Sequence, residues 1–361
     1  MIEIIENRAL LFKTLTPEIV LRTVPKSTVI DSDGTVLVPW THQAQQTLAY
    51  LGLPFISPIS RDYDFSGPYE PAAHQLLICN MVSMHKKGYC FADMGMGKTA
   101  SFIWAADYLK QIGLVKKILV VAPKVVCRSA WQHEISLLLP YDSAVVLDGT
   151  PTVRKQRIAR DAQWDIINYD GVEILSKELA NRQYDMVIVD ESTGVKNPDT
   201  ARWKFLNEVT KHVERVWLLS ASPTPQGPGD AFGQIMLLTP ELLPKNKYEW
   251  RNMTMQQVSM YKWNPRPDAK EVVFAAMQPA IHIRKEDVLK NQPETVKVLC
   301  EVDTTSEQNR MLLQLKRSEV ITAKDGSKIT PVHAAAALTK HMQILLGAVY
   351  DDEGKVAYVD N

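Results

Sequence analysis

At 361 residues the chain has room for one large domain with appendages or for two modest ones. Its hydrophobic content of 45% and charged content of 23% belong to a globular core and exclude a disordered tail. Lys plus Arg and Asp plus Glu both number 41, so the net charge is zero and any nucleic-acid contact must come from a local basic surface.

The N-terminus carries Glu3 and Glu6 and lacks a basic n-region, which argues against a signal peptide. No apolar run reaches membrane-spanning length. These features predict a soluble, cytoplasmic protein with no membrane partner. The four cysteines (Cys79, Cys90, Cys127 and Cys300) form no CxxC pair and the eight histidines no HExxH, so no structural zinc and no disulfide framework are expected.

Residues 1–68 read as a small accessory unit. Ile19 to Val24 and Thr28 to Ile30 have strand composition, and Asp33-Gly34 before Thr35-Val36-Leu37-Val38 predicts a hairpin turn. Thr41 to Leu51 predicts a short helix closed by Gly52, followed by a connection bearing Pro54, Pro58 and Pro68. Pro71-Ala72-Ala73-His74-Gln75 then opens a helix through Leu76, Ile78 and Met81.

Tyr89 to Ser101 is the stretch around which the rest is organised. An apolar run ends in Ala92-Asp93-Met94-Gly95-Met96-Gly97-Lys98-Thr99-Ala100, and helical periodicity follows at Phe102, Ile103, Ala106 and Leu109. Strand, glycine-rich turn and helix in that order make a phosphate cradle. Gly95 and Gly97 let backbone N–H groups crowd an anion, and the helix start adds orphan donors and a positive dipole end. Lys98 would neutralise the β- and γ-phosphates of a nucleoside triphosphate, and the Thr99 hydroxyl would complete a Mg²⁺ shell.

Downstream, apolar runs alternate with helical segments: Lys117 to Ala122, Ala144 to Leu147, Asp165 to Asn168, Met186 to Val189 and Arg215 to Leu219. That alternation predicts a doubly wound parallel sheet with ligands at the strand carboxyl ends. At one such end stand Asp190 and Glu191, ahead of Ser192 and Thr193. Asp190 is placed to hold Mg²⁺, and Glu191 to polarise the attacking water. At another end stands Ser220-Ala221-Ser222-Pro223, whose hydroxyls could link the acidic pair to a nucleic-acid track.

Ala92 to Thr99, Asp190 to Thr193 and Ser220 to Pro223 resemble motifs I, II and III of superfamily-two ATPases, nearest the Swi/Snf-type branch and its compact bacteriophage members. Val121-Ala122-Pro123-Lys124 with Trp131 and Glu134 resembles motif Ia. Asn168-Tyr169-Asp170 resembles motif Ib. Ile283-Arg284-Lys285 with Pro293 resembles the Arg-Arg…Leu-Pro element after the protrusion, and Leu338 to Asp352 the helix before a second lobe. Motif II departs from the usual pattern, with Thr193 where the branch has His. Gln75 stands where the family's Q-motif glutamine belongs, which implies a hydrogen bond to an adenine edge.

The resemblance implies a RecA-like α/β fold: a parallel sheet with helices on both faces, a small N-terminal α+β appendage and a short helical protrusion after motif III. Expected boundaries are 1–68 for the appendage, 69–240 for the ATP-binding lobe, 241–295 for the protrusion and return, and 296–361 for a helical segment leading to a second lobe. It implies ATP and Mg²⁺ as cofactors, with Gln75 and Met94 to Ala100 binding nucleotide, Thr99 and Asp190 holding metal, and Lys98, Asp190 and Glu191 catalysing. It also implies duplex DNA as partner, with Lys124, Arg128, Asn168, Tyr169, Ser220, Ser222, Arg284 and Lys285 as contact candidates.

No Gln-x-x-x-Arg-x-x-Arg pattern follows Pro223. The family's arginine fingers are thus expected from a second lobe, supplied by another chain or lost by truncation, and they are worth roughly 10³–10⁵ in rate. The expected function is the ATP-binding half of a DNA-dependent ATPase or translocase, weak by itself. The alternative is a non-catalytic, nucleotide-dependent binding module in phage DNA replication or recombination. For Lys245 to Arg266, which interleaves Lys247, Tyr248, Trp250, Arg251, Tyr261, Lys262, Trp263 and Arg266, DNA contact and packing of the protrusion base stand side by side. Val153 to Arg160 reads equally as a basic patch or a solvated helix face.

Overall fold

The computed structural model describes residues 2–260, 262–288, 298–317, 321–322, 326, 328–330 and 334–359. Pro293 and Tyr261 lie outside the described residues. The chain divides into two compact units, Met1–Asn291 and Gln292–Asn361. No helix among the described residues is long and apolar enough to cross a membrane.

Seven strands form the central sheet of the first unit, and every pairing is parallel. Across the sheet they run Ala280–Ile283, Lys87–Ala92, Arg215–Ser220, Met186–Asp190, Ile118–Ala122, Trp164–Asn168 and Ala144–Val146. Their side chains divide by the period of two. Ile118, Val120, Ile188, Trp217 and Leu219 enter one apolar cluster. Leu119, Val121, Val187, Val189, Val216 and Leu218 enter a second. A parallel sheet must be covered on both faces, and it is.

Helix Ala73–Met84 packs beside helix Lys98–Gln111, which follows the glycine-rich turn, and both contribute to the first cluster. Gly88, on the strand entering the loop, is a packing requirement. A Cβ there would stand 2.7 Å from the Trp217 ring and 3.0 Å from the Pro279 carbonyl oxygen. Gly88→Ala is therefore expected to destabilise the fold by about 1–3 kcal/mol through overpacking. A urea titration reads this as a lower midpoint at unchanged slope.

The N-terminal segment builds a four-stranded antiparallel sheet from Ile2–Ile5, Ala9–Lys13, Thr35–Pro39 and Thr28–Val29, with its own apolar core around Phe12, Val20, Val36, Val38 and Leu48. The hairpin turn forms as expected, with Gly34 at φ 79°. Ile19 to Val24 corrects the expectation of a strand. It lies in helix Pro17–Thr23, where Pro17 presets the first turn and Glu18 suits the dipole. Val20 and Val24 are both fully buried, one helical turn apart. Helix His42–Tyr50 starts where the Thr41 side chain accepts from the Ala44 N–H.

After the sheet's sixth strand in chain order, Arg215–Ser220, the chain leaves through helix Ala231–Leu238. The protrusion holds helices Lys247–Thr254 and Ala269–Ala276 and also a two-stranded ribbon, Met255–Gln257 with Trp263–Pro265. The chain then returns as edge strand Ala280–Ile283 beside Lys87–Ala92. In the second unit, helices Ser306–Lys316 and Ala334–Leu345 and the hairpin Ala348–Tyr350/Val356–Tyr358 share a core of Met311, Leu315, Ile344, Val349 and Ala357. Leu338 and Met342 remain exposed on that second helix.

Candidate active site

The strand Lys87–Ala92 runs out into Asp93 and Met94, and the loop turns back through two left-handed glycines, Gly95 at φ 82° and Gly97 at φ 67°. Both conformations disfavour any residue with a Cβ. Their surroundings differ. Around Gly95 nothing lies within 4 Å of where a Cβ would stand, so the cradle is open there. At Gly97 a Cβ would run into the Gln75 amide.

Gln75 is thus held against the phosphate loop. Its Oε1 accepts from the Ala72 N–H at 2.9 Å and its Nε2 donates to the Gly97 carbonyl at 3.4 Å. The neighbouring His74 ring contacts the Met96 carbonyl at 3.2 Å. Lys98 donates to the Ala92 and Asp93 carbonyls, where the loop leaves the strand. Asp93 in turn ties the loop to the edge strand. Its N–H donates to the Ile283 carbonyl at 3.1 Å, and its Oδ2 accepts from the Lys285 N–H at 2.7 Å.

Asp190 and Glu191 end the strand Met186–Asp190, two places along the sheet from the phosphate-loop strand, with Arg215–Ser220 between. Burial pushes the Asp190 carboxyl upward in pKa, while the Trp131 indole N–H, the Lys98 charge and the Glu191 N–H pull it back. Trp131 donates to Asp190 Oδ2 at 2.9 Å, and Glu191 N–H to Oδ1 at 3.0 Å. Glu191 is also raised, first by burial and then by Asp190, against the Lys98 charge. Lys98, Asp190 and Glu191 therefore share one electrostatic environment. Glu191 is left-handed at φ 54°, a strained state for a residue with a side chain.

Tyr169 helps to hold that state. Its hydroxyl donates to the Asp190 carbonyl at 2.6 Å and the Glu191 carbonyl at 2.9 Å. The residue is only 6% exposed, and its hydroxyl is engaged by the backbone of the acidic pair. Asn168 is likewise buried, and its Oδ1 accepts twice from Arg154, at 3.2 Å each. Ser220 is buried too, its Oγ closing a small turn with the Ser222 carbonyl at 3.0 Å. Inward partners satisfy all three, and the other candidates stand at the surface.

Those are the exposed Lys124, Arg128, Ser222, Arg284 and Lys285. Arg128 is paired with Asp148 at 2.8 Å, and Arg284 with Glu286 and Asp287 at 2.9 Å each. In the basic segment Val153 to Arg160, Lys155, Gln156 and Arg160 face solvent. Arg154 is buried and Arg157 donates to the Val146 carbonyl at 3.1 Å, so both arginines bind the ends of the sheet. In the protrusion, Trp250 is core, whereas Arg251 lies over the Tyr248 and Trp263 rings at 5.3 and 4.3 Å.

Hydrogen bonds join the segment after the acidic pair to the loop after Ser220. Ser192 Oγ donates to Gln234 Oε1 at 2.7 Å, and Gln234 Nε2 donates to the Pro223 carbonyl at 2.7 Å. The available signal was a single amide in the otherwise apolar run Ala231 to Leu238.

Comparison with known proteins follows the same outline. The model of the SNF2-related domain matches residues 69–346. The chain is similar to the SWI/SNF-related matrix-associated actin-dependent regulator of chromatin subfamily A-like protein 1 of Xenopus laevis, with 31% identity over 180 residues, 47% of this chain and 18% of that protein. It is also similar to putative protein p41 of Acyrthosiphon pisum secondary endosymbiont phage 1, with 27% identity over 311 residues, 80% of this chain and 66% of that protein. The chain thus spans less than a fifth of the Xenopus relative. In fold it is similar to the Sulfolobus solfataricus SWI2/SNF2 ATPase core in complex with dsDNA, at TM-score 0.54 and 19% identity over 78% of this chain and 59% of that one.

Proposed function

The chain belongs to the SNF2-related domain family, and on that premise we propose that it is the ATP-binding lobe of a DNA-dependent ATPase. The observation that carries the reading is the convergence of Lys98, Asp190 and Glu191 at the carboxyl ends of one parallel sheet. The open cradle at Gly95 and the lysine at its base fit a polyphosphate. Bound Mg-ATP supplies the phosphoanhydride bond and the cation that screens its charge.

The chain's own groups divide the remaining work. Loop N–H groups and Lys98 bind the phosphates, and Gln75, anchored beside the loop, is the adenine-edge candidate. The Thr99 hydroxyl and the Asp190 carboxylate would hold Mg²⁺. Glu191, raised in pKa yet facing the Lys98 charge, orients water and takes its proton. Lys124, Arg128, Ser222, Arg284 and Lys285 are proposed to meet duplex phosphates, which position a protein without reading sequence. Full rate is proposed to need a second RecA-like lobe carrying arginine fingers. The similarity to the phage protein over most of this chain supports a setting in phage or bacterial DNA transactions.

Two binding measurements test the reading: fluorescence of a labelled ATP with Mg²⁺, and anisotropy of a labelled duplex. Saturable binding of both is expected, with duplex affinity falling as salt rises. A chain that binds neither overturns it.

A further inference from the structure

Helix Ala231–Leu238 is apolar except at one position, and that position is fully buried. Ala231, Phe232, Ile235, Leu237 and Leu238 all enter the core, and Gln234 is 0% exposed among them. An amide in such a place costs several kcal/mol unless its hydrogen bonds are made. Here they are. Oε1 accepts from Ser192, and Nε2 donates to the Pro223 carbonyl at 2.7 Å and the Asp230 carbonyl at 2.9 Å.

Two of these bonds join segments far apart in the chain, the turn after Glu191 and the loop after Ser220. Other contacts brace the same pair. The Gly233 N–H donates to the Lys196 carbonyl at 3.1 Å, and a Cβ on Gly233 would collide with that carbonyl. Lys196 reaches back to Gln226 Oε1 at 2.6 Å and to Asp230 at 3.1 Å. Glu191 immediately precedes the turn so held, in its strained left-handed state, with Tyr169 gripping it from the other side.

We propose that Gln234 is a positioning residue for hydrolysis, clamping the Ser192–Lys196 turn, and through it Glu191, to the Pro223 loop. The inference rests on the ATPase reading of that site. It assigns coupling to a side chain outside the phosphate loop, the acidic pair and the Ser220–Pro223 loop. A displacement of the Pro223 loop reaches the Ser192 end of the turn, next to Glu191, through this amide, while Lys196 ties the far end of the turn to Gln226 and Asp230 and the Ser220 hydroxyl closes only its own turn. Placement of a catalytic group is sensitive to such supports, since shifts of about 1 Å can cost about 10²-fold in rate.

Gln234→Met tests this, because Met has a similar reach and no hydrogen bonds to give. Far-UV circular dichroism and ATP affinity should be preserved, with kcat down about tenfold or more at unchanged KM. Ser192→Ala should act alike, and the double variant should be no slower than Gln234→Met. Additive losses, or a raised KM at unchanged kcat, overturn the clamp.

Hydrogen exchange gives a reading independent of turnover. A non-hydrolysable ATP analogue with Mg²⁺ should slow exchange in both 192–197 and 221–230 in the wild type, but only in 192–197 in Gln234→Met. The same protection in both proteins overturns the clamp. A wild type with this exchange pattern but no turnover, even when a second lobe is supplied, overturns the hydrolytic role and leaves only the structural link between the two segments.

Discussion

Lys98→Ala is expected to lose Mg-ATP binding by roughly 10- to 10²-fold, with the fold intact. A charge-assisted hydrogen bond to a partly buried anion is worth about 1.5–3 kcal/mol, and each 1.4 kcal/mol is tenfold in affinity. Lys98 also has no substitute at the loop. Its ammonium sits against the Ala92 and Asp93 carbonyls, where the strand releases the chain. Alanine is a good former for the helix Lys98–Gln111 that begins there, so stability should hold. A secondary effect has a definite sign. The Lys98 charge holds both Asp190 and Glu191 down, so without it both carboxyls rise further. Isothermal titration with Mg-ATP, beside a thermal melt, reads both expectations. Affinity within a few-fold of wild type would remove Lys98 from the phosphate site.

Glu191→Gln separates chemistry from binding. Gln keeps the shape but cannot take a proton, so nucleotide binding should survive while turnover falls about 10²–10⁴-fold. The pH dependence follows from the same carboxyl. Its burial and its Asp190 neighbour favour the protonated, inactive form, so the rate should fall as pH drops, beginning above the ordinary glutamate range. Asp190 is raised as well, and the limb therefore belongs to the coupled pair. An unchanged rate in Glu191→Gln would exclude this residue as the base.

The phosphate loop and the acidic pair were legible because each is local. An apolar run, two glycines and a lysine lie within a dozen positions, and Asp190-Glu191 follows its strand directly. The supports were not legible, because their partners are remote. Tyr169 reads as a surface motif until Asp190 and Glu191 close over its hydroxyl, and Asn168 until Arg154 turns inward. Gln234 lies 42 residues from Ser192, and only the fold shows what its amide is for. Ile19 to Val24 misled for a different reason. Its β-branched residues suit a strand, but Pro17 and the turn-spaced burial of Val20 and Val24 set a helix. The edge strand Ala280–Ile283 is four residues long, too short for a periodic signal.

Duplex-stimulated ATP hydrolysis through Glu191 is the activity proposed for this lobe. Initial-rate phosphate release at saturating Mg-ATP, with and without duplex, measures it when wild type and Glu191→Gln are run side by side. Slow release is expected from the wild type, faster with duplex and lost in the variant. Release that is identical in the two proteins, with duplex or without, would contradict that proposal.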